Sequence, residues 1–278
     1  MENLGKNIRI NQVLNNSKLT NGEIWIGSLS LNLATQIKDE YSKIFVDCFI
    51  DYDQLCDVAE NNRMKPSEYL IEAVLPDEQG IGTKQGDFGE IFSQLFLESW
   101  QDSPEFPFLK WRTKNHNNAS TQGQDILGYY FEKVSGNDWH ENDKIVLCEV
   151  KTNASKNHVN HSIIQEVYSD LKNNHVSKIN KYILTIQRHL MNNSPSEQAR
   201  QKAQNFARFT KPYQMPFKRR LIGAVVIERD NWDSEFLENL PQKHNLDPDL
   251  VEILVLQIEE LSFWIDEVYR SSAQWVDS

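Results

Sequence analysis

The sequence predicts an α/β fold in which a mixed central sheet is flanked by helices, with an N-terminal α+β elaboration packed on this core. Segments with apolar residues spaced by three and four alternate with short apolar runs rich in β-branched residues, which is typical of helices alternating with strands. The 278 residues, 39% of them hydrophobic, suffice for a buried core. The chain shows no internal repeat and no convincing linker. We therefore expect a single elaborated domain, with residues 1–80 forming the elaboration and residues 81–278 the main part.

The first hundred residues combine both kinds of pattern. Pro66 and Ser67 open one helical segment, and the glycines before Glu90 lead into a second helix. Glu90 is the conspicuous polar residue near the start of that second helix. The predicted strands are "EIWIGSLSLNLA" and "KIFVDCFIDY", and the predicted helices are "KPSEYLIEAVL" and "GTKQGDFGEIFSQLFLESW".

A segment interrupted by prolines and polar turn residues follows. Pro104 and Pro107 end the helix, after which "FLKWRTK" can form a strand. The runs "DILGYYFEKV" and "KIVLCEVKTN" are joined by a polar loop, and we expect them to form an antiparallel hairpin.

The last third of the chain is predicted to hold helices, then strands, then a helix. The segment "KYILTIQRHL" fits either a strand or a short helix. The predicted helices are "HSIIQEVYSDLKN", "SPSEQARQKAQNFARFT" and the amphipathic "EELSFWIDEVYRSS", and the predicted strands are "RLIGAVVIER" and "LVEILVLQI".

Composition limits the cellular setting. No apolar run approaches the roughly 20 residues that span a bilayer, and the N-terminus lacks the apolar segment of a secretory signal. Three cysteines at spacings that match no zinc pattern suit a reducing compartment, where they are small buried hydrophobes. We therefore expect a cytoplasmic protein with no membrane partner. His158 and His161 are the only close histidine pair, which is weak evidence of a metal site without a third ligand.

The end of the hairpin carries the candidate chemistry. Glu149 and Lys151 follow an apolar run, and the two-residue period of a strand places them on one face, with Val150 on the other. Asp125 begins the partner strand, so the hairpin can bring it close to Glu149. Two converging carboxylates repel each other unless a cation lies between them, and oxygen ligands suit Mg²⁺ or Mn²⁺. A lysine there can orient a nucleophile and offset developing negative charge, which indicates phosphodiester hydrolysis.

This arrangement resembles the active-site pattern of the PD-(D/E)XK nuclease superfamily, over residues 84 to about 186. The proline of that pattern is absent, since Gln124 precedes Asp125. The resemblance implies a restriction-endonuclease-like core and a nuclease-like domain over residues 81–278. It implies that Asp125, Glu149 and the carbonyl of Val150 ligate the metal and that Lys151 positions the attacking water.

The same resemblance assigns two further residues. Glu90 would orient water or a second ion, although an ordinary acid in the first part of a helix is an equal alternative. Gln165 would steady the lysine region or a phosphate, and the nearby Tyr168 fits a core position better. The blocks "QGDFGEIFSQLFLE", "GQDILGYYFE" and "VLCEVKTN" are similar to the nuclease subunits of Hachiman-type and Abp-type bacterial anti-phage systems. That similarity implies a helicase partner.

Charge is distributed unevenly. The chain has a net charge of -11, yet residues 171–220 hold eleven Lys and Arg against one acid, Glu197. A basic stretch beside the presumed catalytic strands can neutralise phosphates without reading base sequence. We therefore expect little sequence preference, with RNA not excluded as a substrate. The candidate DNA contacts are Lys172, Lys178, Lys211, Lys218, Arg219 and Arg220.

The acidic remainder of the chain offers a docking surface for a basic protein partner such as the helicase subunit. We weigh two alternatives to a metal-dependent deoxyribonuclease. One is a non-catalytic nuclease-fold subunit that binds DNA or a helicase. The other is a metal-independent binding protein in which Glu149 and Lys151 merely form an ion pair.

Overall fold

The computed structural model describes residues 15–19, 22–99, 104–106, 110–114, 116–118, 125–131, 140–156, 159–171, 179–193, 197–206, 209, 218–233, 235–238 and 251–277. Its strands are β1 (Asn15–Leu19), β2 (Gly22–Leu29), β3 (Ile126–Tyr130), β4 (Lys144–Asn153), β5 (Lys218–Glu228) and β6 (Val251–Ile258). Its helices are α1 (Leu31–Phe49), α2 (Tyr52–Asn61), α3 (Pro66–Tyr69, continued by a π-helical turn over Leu70–Val74), α4 (Ile81–Ser99), α5 (Ile163–Asp170), α6 (Ile179–Asn193), α7 (Glu197–Phe206), α8 (Glu235–Glu238) and α9 (Leu261–Val276).

The strands form one mixed sheet in the order β1-β2-β6-β5-β4-β3. Strands β2, β6, β5 and β4 are parallel, and the antiparallel β1 and β3 lie at the two edges. The predicted hairpin is therefore confirmed as the antiparallel pair β3–β4. The predicted α/β class with a mixed sheet between helices is confirmed as well.

Each face of the sheet has its own apolar core. One core includes residues of α1, α4 and α9, and the other includes residues of α5, α6 and α7. Along β4, Val146, Cys148 and Val150 enter the first core, whereas Ile145 and Leu147 enter the second. Because side chains alternate along a strand, Glu149 and Lys151 lie on the face of the second core.

The N-terminal residues join this sheet. Strand β2 pairs with the C-terminal β6, and Trp25 of β2 belongs to the same core as Trp264 of α9. The elaboration expected over residues 1–80 therefore continues the central sheet.

The run "KIFVDCFIDY", predicted as a strand, falls mostly within α1, so that prediction is wrong. Its large side chains recur at helical spacing and face the aromatic cluster of the first core. The Phe45 ring centroid lies 5.2 Å from that of Phe49 and 4.9 Å from that of Tyr269. The dense apolar run concealed the period of the helix.

For one other segment the structure contradicts the sequence prediction, and for another it decides between two alternatives. The described part of "FLKWRTK" is a 3₁₀ turn over Lys110–Thr113, so the strand prediction is wrong for these residues. This turn directs Lys110 and Trp111 inward, where both are buried. The segment "KYILTIQRHL" is helical and lies in α6.

A glycine permits the contact that brings α4 to the site. A Cβ on Gly89 would lie 1.8 Å from the Oγ1 of Thr152 on β4, so only glycine allows the helix to approach this closely. The next residue along α4 is Glu90, which is thereby held beside the end of β4.

Candidate functional site

Asp125 lies at the edge of the sheet, directly before the first residue of β3. The β3–β4 register pairs Ile126, the first residue of β3, with Cys148, so β4 continues beyond its partner strand. The Asp125 Oδ2 accepts a hydrogen bond of 2.8 Å from the backbone N–H of Val150. Since the N–H and C=O of one strand residue point to the same side, the Val150 carbonyl faces this same edge.

Glu149 and Lys151 flank that backbone on the second-core face. Glu149 is 8% exposed, and its Oε1 lies 3.7 Å from the Lys151 Nζ. Burial lowers the pKa of Lys151, but Asp170, Glu149 and Asp125 raise it by more, so the net shift is upward. The structure therefore brings the three residues of the sequence hypothesis into one electrostatic group, with the lysine protonated.

Lys110 links Asp125 to Glu90 and was missed by sequence reasoning. Its Nζ lies 3.1 Å from the Asp125 Oδ1 and 2.8 Å from the Glu90 Oε2, and the residue is 5% exposed. Burial lowers the Lys110 pKa, but the two carboxylates raise it by more. The ammonium thus lies between an acid of α4 and the acid that directly precedes β3.

Glu90 is held by two donors on one oxygen. The Trp111 Nε1 donates to Oε2 over 3.1 Å, and the Lys110 ammonium approaches the same atom. Burial is the main cause that raises the Glu90 pKa to about 8, and the nearby Asp125 adds to it.

A second buried pair supports this end of α4. Lys114 contacts Asp87, about one turn before Glu90, and both side chains are 5% exposed. Burial raises the Asp87 pKa to about 6 against the opposing effect of Lys114. Asp87 is therefore a buried ion-pair partner.

Helix α5 contributes a different residue from the one predicted. The Asp170 Oδ2 lies 2.7 Å from the Lys151 Nζ, whereas Gln165 is exposed to solvent. Five helical residues separate these two side chains by roughly 140° around the axis, so they face different directions. Tyr168 is partly buried against the second core, as predicted.

Comparison with known protein families assigns the chain to one of them. The family model HamA matches residues 10–269, which is most of the sequence. The chain belongs to the HamA family. HamA proteins are components of the Hachiman anti-phage defence system. No curated protein matches the sequence.

The HamA site has donors that suit a divalent ion. Carboxylates from Asp125 and Glu149 and the Val150 carbonyl are hard oxygen ligands of the type that Mg²⁺ and Mn²⁺ prefer. Two acids of this site, Asp125 and Glu90, already converge on one buried cation, the Lys110 ammonium. The donor types of these residues therefore suit a divalent ion.

Half of the predicted DNA contacts can be placed in this HamA protein. Lys218, Arg219 and Arg220 begin β5, where the register pairs Lys218 with Lys144 and Val225 with Lys151. Seven strand residues put Lys218 about 23 Å from the level of Lys151. Arg220 forms a two-point ion pair with Glu252, at 2.6 and 2.8 Å. The other predicted contacts, Lys172, Lys178 and Lys211, lie outside the described residues.

The described helices also bear on membrane association. Within the described part of the chain, every helix is too short or too polar to cross a lipid bilayer.

Proposed function

We propose that this HamA protein is a metal-dependent nuclease that hydrolyses DNA phosphodiester bonds with little sequence specificity and acts with a helicase subunit in anti-phage defence. The observation that carries this proposal is the gathering of Asp125, Glu149 and Lys151 around the C-terminal half of β4. Cleavage of foreign nucleic acid is one way in which a defence system can act, and this group of side chains has the chemistry for that step.

Each residue has a distinct role in the proposed reaction. Asp125, Glu149 and the Val150 carbonyl would hold Mg²⁺ or Mn²⁺, which supplies a Lewis acid and an activated water. The protonated Lys151 orients the attacking water and offsets charge on the phosphate. Asp170 positions the lysine through their 2.7 Å contact. Glu90, whose side chain is 15% exposed and lies near Asp125, is placed to accept or hold a proton.

The test compares DNA cleavage in Mg²⁺, in EDTA and by a Glu149→Gln variant, each with and without the proposed helicase subunit. We expect cleavage that needs the metal and falls by at least about a hundredfold in Glu149→Gln, since a metal ligand is lost. Glu166→Gln removes an exposed acid of α5 and is the matched control. DNA binding without cleavage, even in the presence of the helicase, would support the alternative of a non-catalytic subunit.

The exposed face of α6 is a basic surface close to this site. Burial and the carboxylates of Glu149 and Asp125 raise the pKa of Tyr182 on α6, which shows that the start of this helix lies beside the acids. Lys181 and Arg188 are exposed on α6, and Arg200 is exposed on the adjoining α7. These cations can contact the phosphates of a bound strand.

Replacing Lys181, Arg188 and Arg200 with alanine is expected to weaken duplex binding and to reduce its salt dependence. Each lost phosphate contact lowers the slope of log K against log salt by about 0.9, so three contacts lower it by about 2.7. Fluorescence anisotropy over a series of salt concentrations measures both effects. The control removes three exposed cations elsewhere, Arg63, Lys65 and Arg270. Equal slopes in the two variants would rule out this face as the DNA path.

The proposed helicase subunit would dock on the acidic part of the chain. From residue 228 onwards the sequence holds thirteen acids against three bases. Charge complementarity of this kind mainly speeds and orients association with a basic partner. Co-purification of the two subunits should therefore weaken as salt increases.

A further inference from the structure

A second group of ligand atoms lies away from the candidate nuclease site. His161 precedes α5 in the segment that follows β4, and Asp233 and Glu235 come after β5. Strands β4 and β5 are parallel neighbours, so the segments that follow them begin at the same end of the sheet. Among the described residues, these three side chains form the one group of three metal-binding types whose ligand atoms all lie within 4.8 Å of one another.

The separations between these atoms suit a shared metal ion. The His161 Nε2 lies 3.1 Å from the Asp233 Oδ2 and 3.7 Å from the Glu235 Oε2. Ligands bonded to tetrahedral zinc at about 2.0–2.1 Å lie roughly 3.4 Å apart, because the angle between bonds is about 109°. The two measured distances fall on either side of that value.

The orientation of two ligands is set by contacts around them. The His161 ring packs edge-on against buried Phe236, with centroids 4.8 Å apart, and Phe236 stacks on Trp232. Asp233 accepts the backbone N–H of Glu235 on Oδ1, at 2.8 Å, and presents Oδ2 to the histidine. The imidazole and the carboxylates therefore already face one another.

The ligand types indicate which ion would bind. Mg²⁺ and Ca²⁺ prefer oxygen ligands, whereas one imidazole with two carboxylates suits Zn²⁺ and related transition metals. All three side chains retain some solvent exposure, so an ion has access and water can complete the coordination.

We propose that His161, Asp233 and Glu235 form a Zn²⁺ site that clamps the start of α5 to the segment after β5. Helix α5 rises about 10 Å from Ile163 to Asp170, so this site is separate from the one around Lys151. The clamp fixes the helix whose far end supplies Asp170 to the catalytic lysine. The proposal does not depend on nuclease activity.

Zinc binding to the untagged full-length protein provides the test. Cys56 is partly exposed and is itself a residue type that can bind Zn²⁺, so the parent protein and all variants carry Cys56→Ser. Competition with a chromophoric zinc chelator should show one site per chain, weakened at least tenfold by His161→Ala and by the conservative Glu235→Gln. Zn²⁺ should also raise the melting temperature of the parent and leave that of His161→Ala unchanged.

Two controls separate this site from other effects. Asp230→Asn removes an exposed acid close in sequence to Asp233 and should bind Zn²⁺ like the parent. Glu149→Gln should also retain the site, which distinguishes it from the proposed nuclease metal. Equal zinc affinity in the parent and in His161→Ala would show that the group is only an ion pair and would overturn the proposal.

Discussion

Replacing Lys151 with alanine is expected to lower the rate of DNA cleavage by about 10²–10³-fold, the usual effect of removing one preorganised donor that stabilises transition-state charge. The ammonium is protonated because Asp170, Glu149 and Asp125 raise its pKa against the opposing effect of burial. Alanine removes this charge and leaves the acidic side chains of the site in place. The protein should remain folded, because the Lys151–Asp170 pair is about one-third exposed and such pairs contribute about 1 kcal/mol or less.

Single-turnover cleavage at saturating DNA separates this chemical effect from binding. Lys65→Ala is the control, since it removes an exposed cation that belongs neither to the site nor to the proposed DNA-binding face. Asp170→Asn should give a smaller loss than Lys151→Ala, because it disturbs the position of the lysine and keeps its charge. A Lys151→Ala protein that cleaves DNA at the parent rate would exclude this lysine from the reaction.

The sequence predicted most elements because their apolar periods were clear. Strands β3, β4, β5 and β6 and helices α4, α5, α7 and α9 occur where the pattern placed them. The failures were local. Residues 43–49 lie in a helix whose core-facing side chains are interrupted by further apolar ones, so the run looked like a strand. The 3₁₀ turn at Lys110–Thr113 is set by contacts with α4 and with Asp125, which are distant in sequence.

The same distinction applies to the candidate site. The alternation of side chains along β4 and the hairpin register were enough to bring Asp125, Glu149 and Lys151 together. Lys110 and Asp170 gave no comparable signal. A lysine near an aromatic residue and an acid at the end of a helix are common, and only the tertiary fold makes them partners of Asp125 and Lys151. Gln165 was chosen by resemblance, yet the face of α5 toward the lysine carries Asp170.

The second large effect is expected on stability, from Lys110→Met. Methionine keeps the approximate length of the side chain and removes the charge that serves Glu90 and Asp125. Breaking a buried pair by removing one partner costs about 3–5 kcal/mol, because the remaining charge is left without compensation. Chemical denaturation in EDTA should therefore show the metal-free variant to be less stable by about that amount.

A matched variant, Lys114→Met, shows whether the loss arises from the proposed metal site. Lys114 is an equally buried lysine, but it pairs with Asp87 and not with Asp125. Both variants should lose stability in EDTA. Mg²⁺ or Mn²⁺ should restore more of the lost stability in Lys110→Met than in Lys114→Met. A divalent ion bound at Asp125 replaces the positive charge that Lys110→Met removes, whereas it does not contact Asp87, the partner of Lys114. The metal-dependent gain of Lys110→Met should also exceed that of the parent, whose ammonium already neutralises these acids. An equal gain in all three proteins would show that no divalent ion binds where Glu90 and Asp125 meet Lys110.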